Sequence, residues 1–297
     1  MEQKLNLKQR LYRKICYKFC KQLPDELYIK MMYYVKLGQK CDLKDPKTFD
    51  EKLNWLKLHD RRPEYSMMAD KYAVRDYIKE KIGEEYLIPL LGVWDKPEDI
   101  DFDSLPKQFV LKCTHDSASV IICRDKDDPV AFNRIEAVKL LNNSLRVNYF
   151  YPSREWPYKD IKPRIIVEKY MTDESTTELK DYKFYCFDGE VKLIQVDFGR
   201  FVHHERNLYD TDWNYIDKQI EYPKNPDHQI KRPKKLEKMI ELVGILSKGI
   251  PSVRIDFYSI EDKIYFGEIT FYQEGGFAHF EPEEYALELG KYIKLSV

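Results

Sequence analysis

The sequence predicts an α+β protein in which a helical N-terminal region precedes a body of strands and helices. Three observations carry that prediction. Up to about residue 82 the apolar residues recur at helical spacing, whereas short strands dominate from Phe109 onward. Asp188-Gly189 separates two apolar runs and is the strongest hairpin signal in the chain. Near the C-terminus, Ser252–Tyr258 and Lys263–Thr270 read as two strands around Glu261-Asp262, each with one acidic residue among apolar neighbours.

Composition bounds the class. With 297 residues, 43% of them hydrophobic and 14% aromatic, the chain can bury a real core and is not disordered. Lys and Arg number 50 against 51 Asp and Glu, so no global basic field recruits nucleic acid or an anionic membrane, and any such contact is local. The six cysteines (Cys16, Cys20, Cys41, Cys113, Cys123, Cys186) show neither CxxC nor metal-finger spacing and no signal peptide precedes them, which reads as reduced thiols in the cytoplasm. No apolar run approaches the ~20 residues that span a bilayer, so the protein reads as soluble or at most peripheral at the inner membrane face.

Each element follows from local pattern. Met1–Cys20 mixes Leu5, Leu7, Leu11, Ile15 and Phe19 with Lys4, Lys8, Arg10, Arg13, Lys14 and Lys18, a basic helix with one apolar side. Packing on its own domain is the simpler reading; a membrane surface or a partner is the alternative. A second helix runs from Pro24 to Leu37 and stops at Gly38, and a third starts at the Thr48–Glu51 capping box. Asp70–Ile78 starts another helix, and Tyr86–Gly92 is a short extended segment broken by Pro89. Phe109–Lys112 and Val120–Cys123 flank a polar loop, Thr114–Ser119, as a strand-loop-strand hairpin. Asn133–Phe150 has helical spacing at Ile135, Val138, Leu141, Leu145 and Tyr149, followed by the aromatic segment Tyr151–Pro163. The strand Arg164–Met171 enters a polar stretch, Thr172–Glu178; the hairpin strands Asp181–Phe187 and Glu190–Val196 come next. Arg206–Tyr215 is mixed loop and strand, Pro233–Lys248 a core-packing helix, and Pro282–Leu295 a final helix.

Period-two alternation places Arg254, Asp256 and Tyr258 on one face of their strand, and Phe266, Glu268 and Thr270 on one face of theirs. In an antiparallel hairpin Asp256 and Glu268 converge on a divalent cation, and two carboxylates with room for phosphate oxygens suit Mg²⁺ with a nucleotide better than a calcium cage. The plain alternative is a surface hairpin with two solvated acids. Lys112 ends an apolar strand and opens a loop with hydroxyls at Thr114, Ser117 and Ser119, able to hold phosphate oxygens, although no glycine eases close backbone approach. An exposed hairpin loop is the alternative there. Glu168, Lys169, Tyr170 and Met171 lie where a strand leaves its sheet, a place for adenine to pair with backbone. His203-His204 with Arg206 has no metal-ligand spacing and reads as a solvated or substrate-side loop. No Walker A, GxGxxG or G-x-S-x-G pattern is present.

The order of Asp70-Lys71, Lys112 with its hydroxyl loop, Glu168–Met171, Arg254 with Asp256, and Glu268 with Thr270 resembles the ATP-grasp superfamily, and within it the TupA-like branch of surface-polysaccharide gene sets. The resemblance runs from Leu23-Pro24 through Arg154–Tyr158 and Lys180–Gly189 to Leu289-Gly290. It implies an ATP-grasp fold, two α+β lobes gripping Mg-ATP: a helical region over 1–66, a pre-grasp segment over 67–108, a small lobe over 109–170 and a C-terminal lobe with the metal site over 171–297. Lys71 and Lys112 are then placed on the phosphates, Lys112 and Arg254 in catalysis, and Glu168, Lys169, Tyr170 and Met171 at the hinge facing adenine. Ser117, Ser119 and Lys183 join the nucleotide contacts, Asp256, Glu268 and Thr270 hold Mg²⁺, and the loop Gln273–Phe277 shapes the acceptor pocket. The sequence departs from many relatives in two places. Asp116-Ser117-Ala118-Ser119 replaces glycines and puts a negative charge near the triphosphate, and Thr270 stands where Asn is frequent.

The leading expectation is an ATP- and Mg²⁺-dependent carboxylate–amine ligase that works through an acylphosphate in bacterial surface-polysaccharide biosynthesis. Its substrates are a small or sugar-linked carboxylate and an amine, with no nucleic acid. One alternative is a glycosyltransferase or other polysaccharide-modifying transferase, with Arg154–Tyr158 stacking a sugar. Another is a nucleotide-dependent scaffold in a synthesis complex, held at the inner membrane face by the N-terminal helix.

Overall fold

The computed structural model describes residues 5–117, 119–172, 179–199, 203–228 and 230–295. The first four residues of the N-terminal helix reading, Ala118 of the hydroxyl loop and all but the first residue of Thr172–Glu178 lie outside the described residues.

Capping starts the N-terminal helices. α1 (Leu7–Lys18) opens on a capping box between Asn6 and Gln9, and α2 (Asp25–Leu37) ends where Gly38 takes φ 72°, a left-handed conformation glycine adopts at little cost. The expected capping box of Thr48 with Glu51 starts α3 (Phe49–His59). α4 (Glu64–Ala69) precedes α5 (Val74–Lys81). The helix expected from Asp70 starts at Val74, because the Asp70 carboxylate accepts from the N–H groups of Tyr72 and Ala73 and so holds the turn ahead of it.

A small antiparallel sheet follows, built from β1 (Leu90–Trp94), β2 (Phe109–Cys113), β3 (Ile121–Cys123) and, after α6 (Arg134–Leu145) and α7 (Phe150–Ser153), β4 (Ile165–Lys169). The strand order is β1-β4-β2-β3, so β1, inside the expected pre-grasp segment, completes the small sheet by pairing with β4. Phe109, Leu111, Ile165 and Val167 share a core with Phe132 and Leu141. The single helix expected over Asn133–Phe150 divides in two: the Asn148 side chain accepts from the Phe150 N–H and begins a new turn. Ile135, expected to face inward, is 78% exposed.

The large sheet contains β5 (Asp181–Phe187), β6 (Glu190–Phe198), β7 (Glu205–Tyr209) and β8 (Tyr215–Ile216). After β9 (Gln219–Ile220) and α8 (Leu236–Ser247) it gains β10 (Val253–Ile260) and β11 (Lys263–Thr270); β12 (Phe280–Glu281) and α9 (Glu284–Gly290) close the described chain. Its order is β11-β10-β5-β6-β7-β8, and β12 pairs separately with β9. The expected hairpin turns form, with φ of 51° and 88° at Asp188-Gly189 and 48° and 62° at Glu261-Asp262. Phe184, Ile194, Val196, Ile255 and Phe257 lie in the core to which α8 contributes Leu236, Met239 and Val243. Alternation then leaves Asp181, Lys183, Gln195, Asp197, Arg254 and Asp256 for the opposite face. Among the described residues no helix is long and apolar enough to cross a membrane.

Candidate functional site

The polar face of the large sheet and the small sheet enclose a cleft of about 400 Å³, the size of a small-molecule site. Lys71, Lys112, Ser117, Glu168, Lys169, Tyr170, Met171, Lys183, Asp256 and Glu268 all line it, so most residues singled out in the sequence are brought together.

On the large-sheet side, Asp256 is the cross-strand partner of Glu268 on one flank and of Lys183 on the other. Arg254 ties the carboxylates together. Its Nε and Nη2 donate to Asp256 at 2.7 and 2.9 Å, and Nη2 also donates to Glu268 Oε1 at 2.8 Å and Thr270 Oγ1 at 3.1 Å. Lys183 Nζ donates to Asp181 Oδ2 and Asp256 Oδ2, each at 2.5 Å. Burial pushes the Asp256 carboxyl up to about 6 against the opposing pull of Arg254 and Lys183. For Glu268, burial acts upward too, yet Arg254, Lys183 and Lys71 hold it below its ordinary value.

Strict alternation on the second strand does not hold. The register shifts between Asp256 and Phe257, so that Asp256 faces Glu268 while Phe257 faces Phe266, and Gly267 is the extra residue of a bulge. Phe266 therefore enters the core with Ile264 and Ile269 instead of sharing a face with Glu268 and Thr270. The bulge is what lets an apolar strand present Glu268 beside Asp256.

On the small-sheet side, Glu168 on β4 is held between two cations. Lys112 Nζ lies 2.7 Å from Oε2 and Arg75 Nη1 lies 3.1 Å from Oε1. Lys71 donates through Nζ to the Asp116 carbonyl, and its backbone N–H bonds the Thr114 carbonyl at 3.0 Å, anchoring the segment before α5 to the hydroxyl loop. Burial lowers the pKa of Lys71.

The hydroxyl loop departs from expectation. The Asp116 carboxylate turns inward and accepts from the Ser119 hydroxyl at 2.6 Å, and that hydroxyl accepts from the Cys113 N–H at 2.9 Å. Ser119 is thus buried loop scaffolding outside the cleft, and the Asp116 charge is spent inside the loop. Ser117 keeps its place in the cleft wall, its hydroxyl bonded to Tyr149. Thr270 and Arg254 sit behind the carboxylates and are not among the lining residues.

Farther along the same face, Arg206 Nε lies 2.6 Å from Asp197 and Nη1 lies 3.0 Å from Glu274, with Tyr222 stacked on His204. Asp197 is held well below the usual carboxylate range: burial opposes this, and His204 and Arg206 overcome it. Of this loop, read from sequence as solvated or substrate-side, His203 is exposed, while His204 and Arg206 turn in to an ion-pair cluster with Asp197. The loop Gln273–Phe277 is pinned from α3, where Asn54 Nδ2 donates to the Gly276 carbonyl at 2.6 Å and the buried Lys57 donates to the carbonyls of Ser153 and Gly275. Arg154 is likewise buried, 3.9 Å over the Tyr28 ring and bonded to the Leu23 carbonyl, which removes it from any sugar-stacking surface.

Arg75, Asp181 and Lys57 were not singled out in the sequence. Asp181 could have been found, since period two places it beside Lys183. Arg75 follows Lys71 by four residues, but its partner is 93 residues away.

Among the described residues no group of three His, Cys, Asp or Glu side chains is placed to hold a metal ion. The paired carboxylates nevertheless suit a hard cation completed by phosphate oxygens and water. Lys71, Lys112, Arg75, Lys183 and Arg254 around them suit a polyanion.

The family model described as TupA-like ATPgrasp matches residues 51–294. None of the curated proteins matches the chain. Among solved structures the chain is similar to D-alanine–D-alanine ligase from Bacillus anthracis, at 18% identity over 69% of this chain and 57% of that one, with a TM-score of 0.39. It is similar to N5-carboxyaminoimidazole synthetase from Staphylococcus aureus at 15% identity over 69% and 44% of the two chains, with a TM-score of 0.39. For L-amino acid ligase from Bacillus licheniformis the identity is 13% over 88% and 56%, with a TM-score of 0.43. The chain spans about half the length of these structures.

Proposed function

We propose that this chain, which belongs to the TupA-like ATP-grasp family, is an ATP- and Mg²⁺-dependent carboxylate–amine ligase of bacterial surface-polysaccharide biosynthesis, acting in the cytoplasm through an acylphosphate. The observation that carries the reading is the cleft itself, with Lys71 and Lys112 on one wall and the Arg254-clasped pair Asp256 and Glu268 on the other. On this reading 109–170 is the small lobe, with β1 added at its edge, and 171–297 the lobe with the metal site; 67–108 leads in from the helical region 1–66.

Each residue then has a physical task. Lys71 and Lys112 take phosphate oxygens, and Glu168 keeps Lys112 extended toward them. The backbone of Lys169–Met171 faces adenine while Met171 packs on the ring. Asp256 and Glu268, with the Thr270 hydroxyl behind them, hold Mg²⁺, which when bound offsets phosphoryl charge. Arg254 fixes both carboxylates and, with Lys183, offsets their charge. The carboxylate substrate takes the γ-phosphoryl group and releases ADP; the amine then displaces phosphate in a site closed to water.

The test is calorimetric titration of wild type and Asp256→Asn with MgATP and, separately, with a Mg-UDP-sugar. Metal-dependent ATP binding that the substitution abolishes, and ADP release that needs both a carboxylate and an amine, are expected. Heat with the sugar nucleotide and none with ATP would overturn the proposal in favour of a transferase.

A further inference from the structure

The outer face of α1 is built for a surface that the cleft does not explain. Leu5–Pro24 contains six Lys and Arg residues and no acid, in a chain whose formal net charge is −1. Among the described residues none of these six forms an ion pair with a carboxylate, whereas basic residues elsewhere, such as Arg61, Arg62, Lys162 and Lys234, do. The charge is therefore local and uncompensated.

The helix is also fixed in orientation. Its inward side carries Gln9, Tyr12 and Cys16: Gln9 Nε2 donates to the carbonyls of Tyr34 and Val35 at 3.2 and 3.3 Å, Tyr12 packs edge-on against Tyr34, and Cys16 is fully buried. Arg154 donates to the carbonyls of Cys20 and Leu23, so the turn after the helix is anchored as well. At about 100° per residue, Leu7 and Leu11 then stand on the opposite side, flanked by Arg10, Lys14 and Lys18. Leu7 is 85% and Leu11 55% exposed, and Tyr17 beside Arg13 is 63% exposed. Tyr12, Ile15 and Cys16 already supply the side that packs on the domain, so packing on α2 gives the outward Leu7 and Leu11 nothing to cover.

We propose that α1 docks the protein on an anionic lipid bilayer, lying in the interface with Leu7 and Leu11 in the acyl boundary and Arg10, Lys14 and Lys18 at the headgroup phosphates. Nucleic acid also matches the charge, but phosphate contacts give the paired leucines nothing to do. The docked helix is already folded and held by α2, so binding needs no ordering of the segment.

The test is co-sedimentation of the full chain with vesicles of phosphatidylcholine alone and of phosphatidylcholine with phosphatidylglycerol, at low and high salt. Association with the anionic vesicles only, weakened by salt, is expected. Leu7→Ser/Leu11→Ser and Lys14→Gln/Lys18→Gln should each weaken it by about tenfold or more while leaving thermal unfolding unchanged, since all four side chains point away from α2. No association with anionic vesicles, equal association with neutral ones, or full retention by the leucine variant each overturns the proposal. So does salt-sensitive binding to RNA without vesicle binding.

Discussion

Lys183 and Asp256 are cross-strand partners on β5 and β10, and the lysine ammonium donates to the Asp256 carboxylate at 2.5 Å while also holding Asp181. Each carboxylate of this wall is therefore already bonded to a cation before any ligand arrives, Asp181 and Asp256 to Lys183 and Glu268 to Arg254.

Removing one partner of such a buried pair leaves a charge without its counterion, at a cost of about 3–5 kcal/mol. Lys183→Met is expected to lose stability in that range, and Lys183→Met/Asp256→Asn to recover more than 1 kcal/mol relative to additivity, about the size of coupling that contacting residues show. Urea unfolding of the four proteins in the cycle measures the coupling; additive losses would show that the contact carries no energy.

Stability should respond to pH through Asp50 on α3. Burial pushes its carboxyl up to about 8, against about 3.9 in an unfolded chain. The folded state thus holds the proton more tightly, and this contribution, full below about pH 4, is lost as pH rises to about 8. Lys57, pushed down to about 8 by burial, stays mostly protonated in both states up to about pH 7 and loses its proton in the folded state only at the upper end of that window. Asp50→Asn imitates the protonated acid and keeps an oxygen for the Ala278 N–H. Its denaturant stability should fall less than that of wild type between pH 5 and pH 8 by a few kcal/mol. Parallel curves would place the proton elsewhere.

What was legible in the sequence is what local rules decide. Thr48 with Glu51, Gly38 and Asp188-Gly189 mark element ends by chemistry confined to a few residues, and the structure follows them. The pairing of Asp256 with Glu268 was legible for the same reason, as alternation across a short turn. Direction of burial was not. Nothing in Asp116–Ser119 says that the Ser119 hydroxyl turns toward Cys113, and nothing around Lys57 says that a helical lysine will be buried over the Phe277 ring. Those outcomes depend on distant backbone carbonyls, and the role of Arg75 likewise waits on β4 folding beside it.

Gly267 is where the missing side chain matters most. A Cβ there would stand 3.0 Å from the Asp256 carbonyl oxygen and 3.3 Å from the Asp256 Cβ, tighter than van der Waals contact allows without a shift. Gly267→Ala should cost about 1–3 kcal/mol as an overpacked site and move Asp256 relative to Glu268. MgATP affinity is expected to drop about tenfold or more, because a displacement of tenths of an ångström is felt by a pair that must share one ion. Calorimetry beside thermal unfolding separates the two effects. Unchanged affinity in a destabilised protein would mean that the bulge shapes the sheet only.

Arg75 offers a test of how the other wall is poised. Its Nη1 shares Glu168 with Lys112, while Nη2 donates to the Ile88 carbonyl at 2.8 Å. With Arg75 present, the Glu168 charge is divided between two cations and part of the Lys112 field remains for an incoming phosphate. In Arg75→Gln, Glu168 is left to Lys112 alone, so the cleft loses a positive charge and the remaining ammonium is more fully neutralised. The dissociation constant for MgATP should rise about tenfold, the size of roughly 1.4 kcal/mol, and its salt dependence should flatten. Arg75→Lys keeps the charge but cannot reach both acceptors with one planar group, and an intermediate value is expected. If Arg75→Gln binds MgATP as tightly as wild type, Glu168 neutralises Lys112 in either case and the positive charge of this wall rests on Lys71.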